Sequence, residues 1–308
     1  MNVIYAAKDL GNGPRPVCLA LGVFDGVHLG HQEIIRQTTV AARQHSGLAL
    51  VVTFDQHPST IVAPDQVPPL IYSPAQKLRT IAALGADALL MFRFDRAFSQ
   101  QTGVAFIRQL ASDLGQLHSI CVGADFVFGH KRSGNIQLLQ QLGAELNFTV
   151  HGIAAVSLAG QIVSSTRIRE ALRAGNFDDA GRMLGRPYTL AAKVVAGDQL
   201  GSKLGFPTAN LDTAGFALPP HGVYAAHVQV SGQTHRAVVN LGHRPTLQPR
   251  APQLRVEVHL LDFAGNLYGQ EMEVAFTAKL RDEQKFASLD ELKAQIARDI
   301  AEARRRFC

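Results

Sequence analysis

The sequence predicts an α/β half followed by an all-β half: a parallel sheet covered on both faces by helices, then a small antiparallel barrel closed by a C-terminal helix. Three observations predict it. Up to about residue 184, continuous apolar strands alternate with amphipathic helices, the pattern of a parallel sheet. From Tyr188 onward the strands alternate residue by residue and are separated by turn residues. Between the two patterns stands Gly185-Arg186-Pro187, a punctuation that divides the chain into 1–185 and 186–308.

In order, Val17 to Val23 reads as a buried parallel strand, and Gln32-Glu33-Ile34-Ile35-Arg36 opens an amphipathic helix. Strands follow at Leu48 to Phe54, Ala88 to Phe94, Ser119 to Val122 and Thr149 to Val156, with helical patterns at Ala75 to Leu84 and Gly103 to Leu114. A short helix, Asp178 to Leu184, closes this half. Beyond it, Val223 to Val230 and Thr234 to Leu241 flank Ser231-Gly232-Gln233, a hairpin signal. Leu254 to Leu261 and Glu271 to Thr277 complete the strands. The closing helix, Leu289 to Arg305, carries an apolar stripe at Leu289, Leu292, Ile296 and Ile300, with Ser288 as its N-cap.

Ligands of such parallel sheets sit at the carboxyl ends of the strands, and polar clusters fall there: Asp55-Gln56-His57-Pro58, Gly123-Ala124-Asp125-Phe126 and Ser164-Ser165-Thr166. The most telling cluster is Gly22-Val23-Phe24-Asp25-Gly26-Val27-His28-Leu29-Gly30-His31. Gly22, Gly26 and Gly30 permit positive φ or close approach of a ligand to the backbone. The free N–H groups of a helix start then face the turn, and phosphate suits them. His28 and His31 lie three apart, so both rings point the same way on a helical turn. Two imidazoles beside a polyphosphate suit stabilisation of charge at phosphorus. The competing readings are an ordinary βα turn with surface histidines and a zinc site, which no further ligand cluster supports.

Val122 to Asn135 brings Phe126, Phe128, two glycines and Lys131-Arg132 into one loop, suited to a planar ring with a phosphate tail. Ser164-Ser165-Thr166 before Arg167-Ile168-Arg169 is, as pure structure, a helix N-cap. Gly197 to Asn210 is glycine-rich but lacks the Gly-Lys-Ser/Thr of a Walker loop, and by spacing alone is a surface loop between strands. In Val256-Glu257-Val258-His259-Leu260, Glu257 and His259 share one face.

The chain of 308 residues carries 30 Lys and Arg against 25 Asp and Glu, a net +5 that mildly favours anionic ligands. The cations are scattered except for Arg304-Arg305-Arg306, which suits a helix end, so no nucleic-acid surface is expected. Three widely spaced cysteines exclude a disulfide framework and point to a cytoplasmic protein; Cys18 and Cys121 read as small buried hydrophobes. No signal sequence or membrane-length apolar stretch is present. Weak self-association is left open.

The Gly22–His31 segment resembles the His-x-Gly-His signature of the nucleotidyltransferase superfamily. Its Phe-Asp-Gly-Val-His-x-Gly-His form, with the downstream segments, resembles the bifunctional bacterial riboflavin kinase/FAD synthetase family over nearly the whole chain. The resemblance implies a Rossmann-like FMN adenylyltransferase domain over 1–185 and a riboflavin kinase barrel over 186–308. It implies riboflavin, FMN and FAD as substrates or products, ATP as co-substrate and Mg²⁺ as cofactor.

In the first domain it assigns ATP to Gly22, Phe24, Asp25, Gly26, His28, Gly30 and His31. Ser165, Thr166 and Arg169 of the Ser-Ser-Thr-x-x-Arg motif join them, and the flavin goes to Asp125, Phe126, Phe128 and Asn135. In the second it assigns ATP to Gly201, Lys203, Gly205, Pro207, Thr208 and Asn210, Mg²⁺ to Thr208 and Asn210, and the general base to Glu257. Arg281 and Phe286 then contact the flavin. Asn240 to Thr246 also matches. The chain departs from the family pattern at Val127 (usually basic), Asn135 (usually Asp), Gln56 (often Pro) and His243 (usually Thr or a small residue). Two narrower readings stay open: a single active module, most plausibly the kinase, and a His-x-Gly-His enzyme with another phosphate-ester acceptor.

Overall fold

The computed structural model describes residues 1–11, 13–197, 200–243 and 254–307. It divides into two compact units: Met1–Leu70, Pro74–Thr166 and Met183–Gly185 form the first, and Ile71–Ser73, Arg167–Arg182 and Arg186–Cys308 the second.

The elements run β1 (Asn2–Ile4), β2 (Val17–Leu21), α1 (Leu29–Gln44), β3 (Leu48–Phe54), α2 (Ser59–Val62), α3 (Pro74–Ala83), β4 (Ala88–Phe92), α4 (Arg96–Ser99), α5 (Gly103–Leu114), β5 (Leu117–Gly123), α6 (Ile136–Leu146) and β6 (Thr149–Ile153). A two-stranded hairpin, β7 (Ser157–Leu158) and β8 (Gln161–Ile162), precedes α7 (Ser165–Arg173) and α8 (Phe177–Leu184). Then come β9 (Leu190–Val195), α9 (Leu200–Lys203), β10 (Ala209–Leu211), β11 (Gly222–Val230), β12 (Gln233–His243), β13 (Leu254–Leu260), β14 (Glu271–Arg281) and α10 (Leu289–Arg306).

The first unit is a six-stranded parallel sheet of order β1-β4-β3-β2-β5-β6. Its central strands are continuous apolar runs because both faces are covered. Leu19, Leu21, Leu50 and Val52 pack with Ile107 and Leu110 of α5 and Leu139 of α6. Ala20, Val51 and Leu89 pack on the other face with Ile35 of α1 and Ile81 of α3. Cys18 and Cys121 are buried free thiols whose pKa burial pushes up.

Several boundaries differ from expectation, among them β4, which ends at Phe92 rather than Phe94, and β14, which runs to Arg281 rather than Thr277. β2 ends at Leu21, not Val23, because Phe24 turns into the left-handed region (φ 54). Helix α1 begins at Leu29, three residues before Gln32, with His28 as N-cap. β6 stops at Ile153, and the β7–β8 hairpin takes up the chain beyond it.

The second unit is built on a closed antiparallel barrel, β10-β13-β12-β11-β14-β9. Ser231 (φ 51) and Gly232 (φ 76) join β11 to β12 as a two-residue loop with Val230 paired to Gln233, the backbone a type I′ hairpin demands. The glycine-rich 197–210 segment is not loop throughout, since α9 and β10 lie within it.

Helix α10 is capped by Ser288, whose Oγ accepts from the Glu291 N–H at 3.2 Å. Its packed face follows the expected stripe at Leu292, Ile296 and Ile300, which are half-buried, but Leu289 stays 60% exposed and the fully buried positions are Asp299 and Ala303. The acid goes inward because Arg281 of β14 meets it, Nε and Nη2 donating to Asp299 at 2.8 to 3.0 Å. Gln295 adds a third donor at 2.8 Å. The Arg304-Arg305-Arg306 run is paired with Asp262 and Glu302.

Removing one partner of a buried pair strands the other charge. Asp299→Ala therefore costs about 3–5 kcal/mol in urea denaturation followed by circular dichroism. Glu302→Ala, whose pairs face solvent, costs under about 1 kcal/mol.

Candidate active sites

The sheet order places the first site. From β2 the chain winds outward through β3 and β4, then returns to build β5 on the other side of β2. The carboxyl ends of β2 and β5 therefore open a crevice. The turn leaving β2 is compressed: Phe24, Gly26 (φ 75) and Val27 (φ 41) all have positive φ. Of the three glycines only Gly26 needs that conformation. Gly22 and Gly30 instead make room for rings, since a Cβ would lie 3.0 Å from Phe24 and 3.2 Å from His28 respectively.

His28 caps α1 through its ring, Nδ1 accepting from the His31 N–H at 3.4 Å. The two imidazoles stack with centroids 3.6 Å apart and planes 20° apart, and Phe24 meets His31 edge-on at 5.3 Å. His31 Nδ1 is buried without a hydrogen-bond partner. Burial, His28 and Lys77 together hold the His31 pKa well below the usual imidazole value, so this ring is neutral at neutral pH.

Ser165 Oγ donates to the Asp25 carbonyl at 3.0 Å, fastening the start of α7 to the turn. Thr166 is exposed and Arg169, one turn on, is buried.

Beside the turn lies a cleft of about 600 Å³. Val23, the second residue of the turn, lines it together with Phe54, Phe94, Phe98, Phe126 and Phe128, and Arg96, Lys131 and Arg132 also contribute. Phe126 and Phe128 stack at 5.4 Å and 14°, and Phe54 meets Phe94 edge-on at 5.3 Å. The expected Phe126 and Phe128 are thus in the cleft, but Asp125 and Asn135 are not among its lining residues. Asp125 is exposed. Asn135 is turned to helix capping, its Oδ1 accepting from the Leu138 N–H at 2.9 Å.

Phe54, Phe94, Phe98 and Arg96 escaped sequence reading. Phe54 ends β3, Phe94 follows β4 and Phe98 lies on α4, aromatic positions that core packing explains equally well, and no signal singled out Arg96. Gln56, where proline is usual in the resembled family, donates through Nε2 to the Phe94 carbonyl at 2.8 Å and so steadies one cleft wall. Phe128 and Gly134 exchange backbone hydrogen bonds at 3.0 and 2.8 Å. A Cβ on Gly134 would stand 2.6 Å from the Phe128 ring.

In the second unit, β10 pairs Asn210 with Glu257, and β12 pairs Asn240 with the same Glu257. Directly opposed residues share a face, so one carboxylate stands between two carboxamides. All three line a cleft of about 290 Å³ with Thr208, Gly201, Arg281 and Phe286. Burial along β13 alternates as expected, with Val256 and Val258 inside and Glu257 half-buried.

The segment carrying Pro207 and Thr208 is clipped to β13: His259 Nδ1 lies 2.8 Å from the Pro207 carbonyl, which fixes the proton on Nδ1. A Cβ on Gly197 would overlap the Asn210 carboxamide, and one on Gly201 would lie 3.0 Å from Thr208 Oγ1. Gly205 has φ +90. Arg281 is held by Asp299, and its guanidinium lies 5.8 Å from the Phe286 ring centre. The side chains of Lys203 and His243, and Arg244 to Thr246, lie outside the described residues. Asn240 as a partner of Glu257 was missed, because the hairpin before β12 sets its register to β11 and carries no signal for its register to β13.

A glycine turn at a helix start beside an aromatic cleft in one unit, and a carboxylate cleft in a barrel in the other, point to a two-module phosphoryl- and nucleotidyl-transferring enzyme. Residues 12–167 match the FAD synthetase family model and 184–307 the riboflavin kinase model. The Escherichia coli K12 bifunctional riboflavin kinase/FMN adenylyltransferase is 40% identical over 309 residues, covering 100% of this chain and 98% of the relative. The Pseudomonas fluorescens enzyme of that name is 40% identical (99% and 97% covered), and the Bacillus subtilis one 34% (94% and 92%). The chain belongs to the bifunctional riboflavin kinase/FMN adenylyltransferase family. A crystal structure of a Streptococcus pneumoniae protein described as a macrolide-efflux protein superposes with TM-score 0.81 at 31% identity, covering 98% of each chain. Among the described residues of this chain, no helix is long and apolar enough to cross a membrane.

Gly134→Ala drives Phe128 off Phe126. Loss of ring–ring energy of about 0.5–1.5 kcal/mol raises KM for FMN about three- to tenfold in steady-state FAD synthesis.

Proposed function

We propose that the kinase module, 186–308, phosphorylates riboflavin and the adenylyltransferase module, 1–185, joins the FMN product to AMP from ATP. The observation that carries this order of chemistry is that Val23 belongs to both the aromatic cleft and the phosphate turn. A flavin ring in the cleft extends its phosphate tail toward the stacked histidines.

In the kinase step Glu257 takes the proton from the terminal ribityl hydroxyl, whose oxygen attacks the γ-phosphorus of ATP as the bond from that phosphorus to the β-phosphate oxygen breaks to release ADP. Asn210 and Asn240, on either side, orient the carboxylate. Thr208 hydroxyl and Asn210 carboxamide oxygens are hard donors of the kind Mg²⁺ takes, and would hold it together with ATP phosphate oxygens. Bound there, Mg²⁺ offsets charge on the transferred phosphoryl group. Gly201, Lys203, Gly205 and Pro207 cover the nucleotide. Phe286 faces the flavin, and Arg281, held by Asp299, shapes that wall.

In the adenylylation step a phosphate oxygen of FMN attacks the α-phosphorus of ATP, and the bond to the β-phosphate oxygen breaks to release pyrophosphate. Gly22, Phe24, Asp25, Gly26 and Gly30 shape the turn that receives the ATP phosphates, with N–H groups at the start of α1. Neutral His31 donates from Nε2, His28 stands beside it, and Ser165, Thr166 and Arg169 meet the departing pyrophosphate. Phe126 and Phe128 hold the flavin, with Asp125 and Asn135 setting the outer end of that loop. Buried free thiols at Cys18 and Cys121 support a cytoplasmic setting for both steps. The partners are small molecules rather than nucleic acid.

Chromatography of flavins, started from riboflavin or from FMN, separates the modules. Glu257→Gln slows FMN formation about 10²–10⁴-fold while FMN still becomes FAD at the wild-type rate. His31→Ala does the reverse, cutting FAD formation about 10²–10³-fold with riboflavin phosphorylation intact.

A further inference from the structure

We propose that Lys77 of α3 is a positioning residue for adenylyl transfer, its ammonium tying the phosphate turn to the flavin cleft and setting a fixed positive charge within electrostatic reach of the histidine pair. The inference rests on the Gly22–His31 turn being the adenylylation site.

A lysine ammonium is seldom taken out of water without partners. That of Lys77 has three: the Val23 carbonyl at 3.4 Å, the Phe54 carbonyl at 3.2 Å and Thr53 Oγ1 at 3.4 Å. Thr53 Oγ1 in turn donates to the Val23 carbonyl at 3.1 Å. These acceptors are not an arbitrary set. Val23 leads out of β2 into the turn, Phe54 ends β3, and both line the flavin cleft. One cation therefore fixes two carbonyls shared by the donor site and the acceptor site. The three bonds use all three ammonium hydrogens, so the side chain has a single defined position.

The charges around it explain why it is a cation and what it acts on. Burial lowers the Lys77 pKa, while Asp25 in the turn and Asp55 beyond β3 oppose that shift. Asp55 itself accepts from the Phe94 N–H at 2.9 Å, so it belongs to the cleft wall. On the other side Lys77 joins burial and His28 in keeping His31 unprotonated. His28, Lys77, Asp25 and Asp55 are the ionisable groups that bear on His31 or on the lysine that reaches it. A neutral His31 keeps the stacked pair from carrying two like charges 3.6 Å apart.

The test compares Lys77→Met, which keeps the length of the side chain and removes the charge, with Lys77→Arg, which keeps the charge. Both are made in the full chain, where riboflavin phosphorylation by the second unit serves as an internal control of enzyme amount and circular dichroism checks the fold of the first. We expect Lys77→Met to lower kcat for FMN adenylylation about tenfold or more, with riboflavin phosphorylation within about twofold of wild type. The His31 imidazole, followed by NMR titration, shifts its midpoint upward by about half a pH unit or more once the neighbouring cation is gone. Lys77→Arg keeps the wild-type midpoint and more adenylylation activity than Lys77→Met. The proposal is overturned if Lys77→Met adenylylates FMN at the wild-type rate, if His31 titrates unchanged in it, or if Lys77→Arg shifts the titration as Lys77→Met does. His31→Ala in the same assay separates this from the site reading. Undiminished FAD synthesis in His31→Ala removes the turn as the site, whereas its loss beside an active Lys77→Met removes only the role of the lysine.

Discussion

Everything in the first unit depends on how the chain leaves β2. That strand is buried along its whole length between β3 and β5, so its carboxyl end emerges at the point where the sheet reverses direction. In seven residues the backbone must pass from strand to helix α1, and it does so through three positive-φ positions, two of them non-glycine. Such conformations cost of order 1–3 kcal/mol each for non-glycine residues and persist only where packing over-determines them. Phe24 and Val27 supply that packing, being fully buried against Ile34, Ile35 and Ile81. The strain is thus located at the turn that must present N–H groups, and the core beneath it holds the geometry.

The barrel solves a different problem by register. Closure of six antiparallel strands fixes which residues oppose each other. A one-residue slip of β13 would turn Glu257 to the opposite face and leave Val256 or Val258 in its place. The valines, buried at 0% and 1%, forbid that slip. The acid is thereby held in the cleft by the apolar residues on either side of it. The Arg281–Asp299 pair works in the same direction, since it anchors α10 to the last barrel strand beside the cleft.

The sequence made the fold class legible because both periodicities are strong: unbroken apolar runs for β2 to β5, strict alternation for β13. The His28–His31 stack was legible as spacing, and the Glu257 face as alternation. What stayed hidden arises from long-range geometry. The short β1 and β10 carry too few residues for a period to show. Phe54, Phe94 and Phe98 look like core residues until the sheet brings three strand ends to one cleft. Asn135 looks like a ligand in a polar loop, yet its oxygen is engaged as a helix cap. Leu289 fits the helical stripe yet stays exposed, while the same face of α10 buries an acid, Asp299, because Arg281 waits there.

On the proposed reading the two sites handle phosphate charge by opposite means, and the residues match the difference. In the kinase cleft the groups nearest the reacting hydroxyl are oxygen donors: Thr208, two carboxamides and one carboxylate. Such a set suits the Mg²⁺ proposed above, which would stand between these oxygens and the nucleotide. The adenylylation turn offers the reverse, with backbone N–H groups at a helix start, imidazole rings and Ser165, and Asp25 is its one acid. There the protein itself faces the phosphates. A neutral, desolvated imidazole suits that task because it donates a hydrogen bond without adding a second charge to the stacked pair. On that reading fixed dipoles, which need no reorganisation as the pyrophosphate leaves, join the cation of Arg169 in balancing the crowded phosphorus.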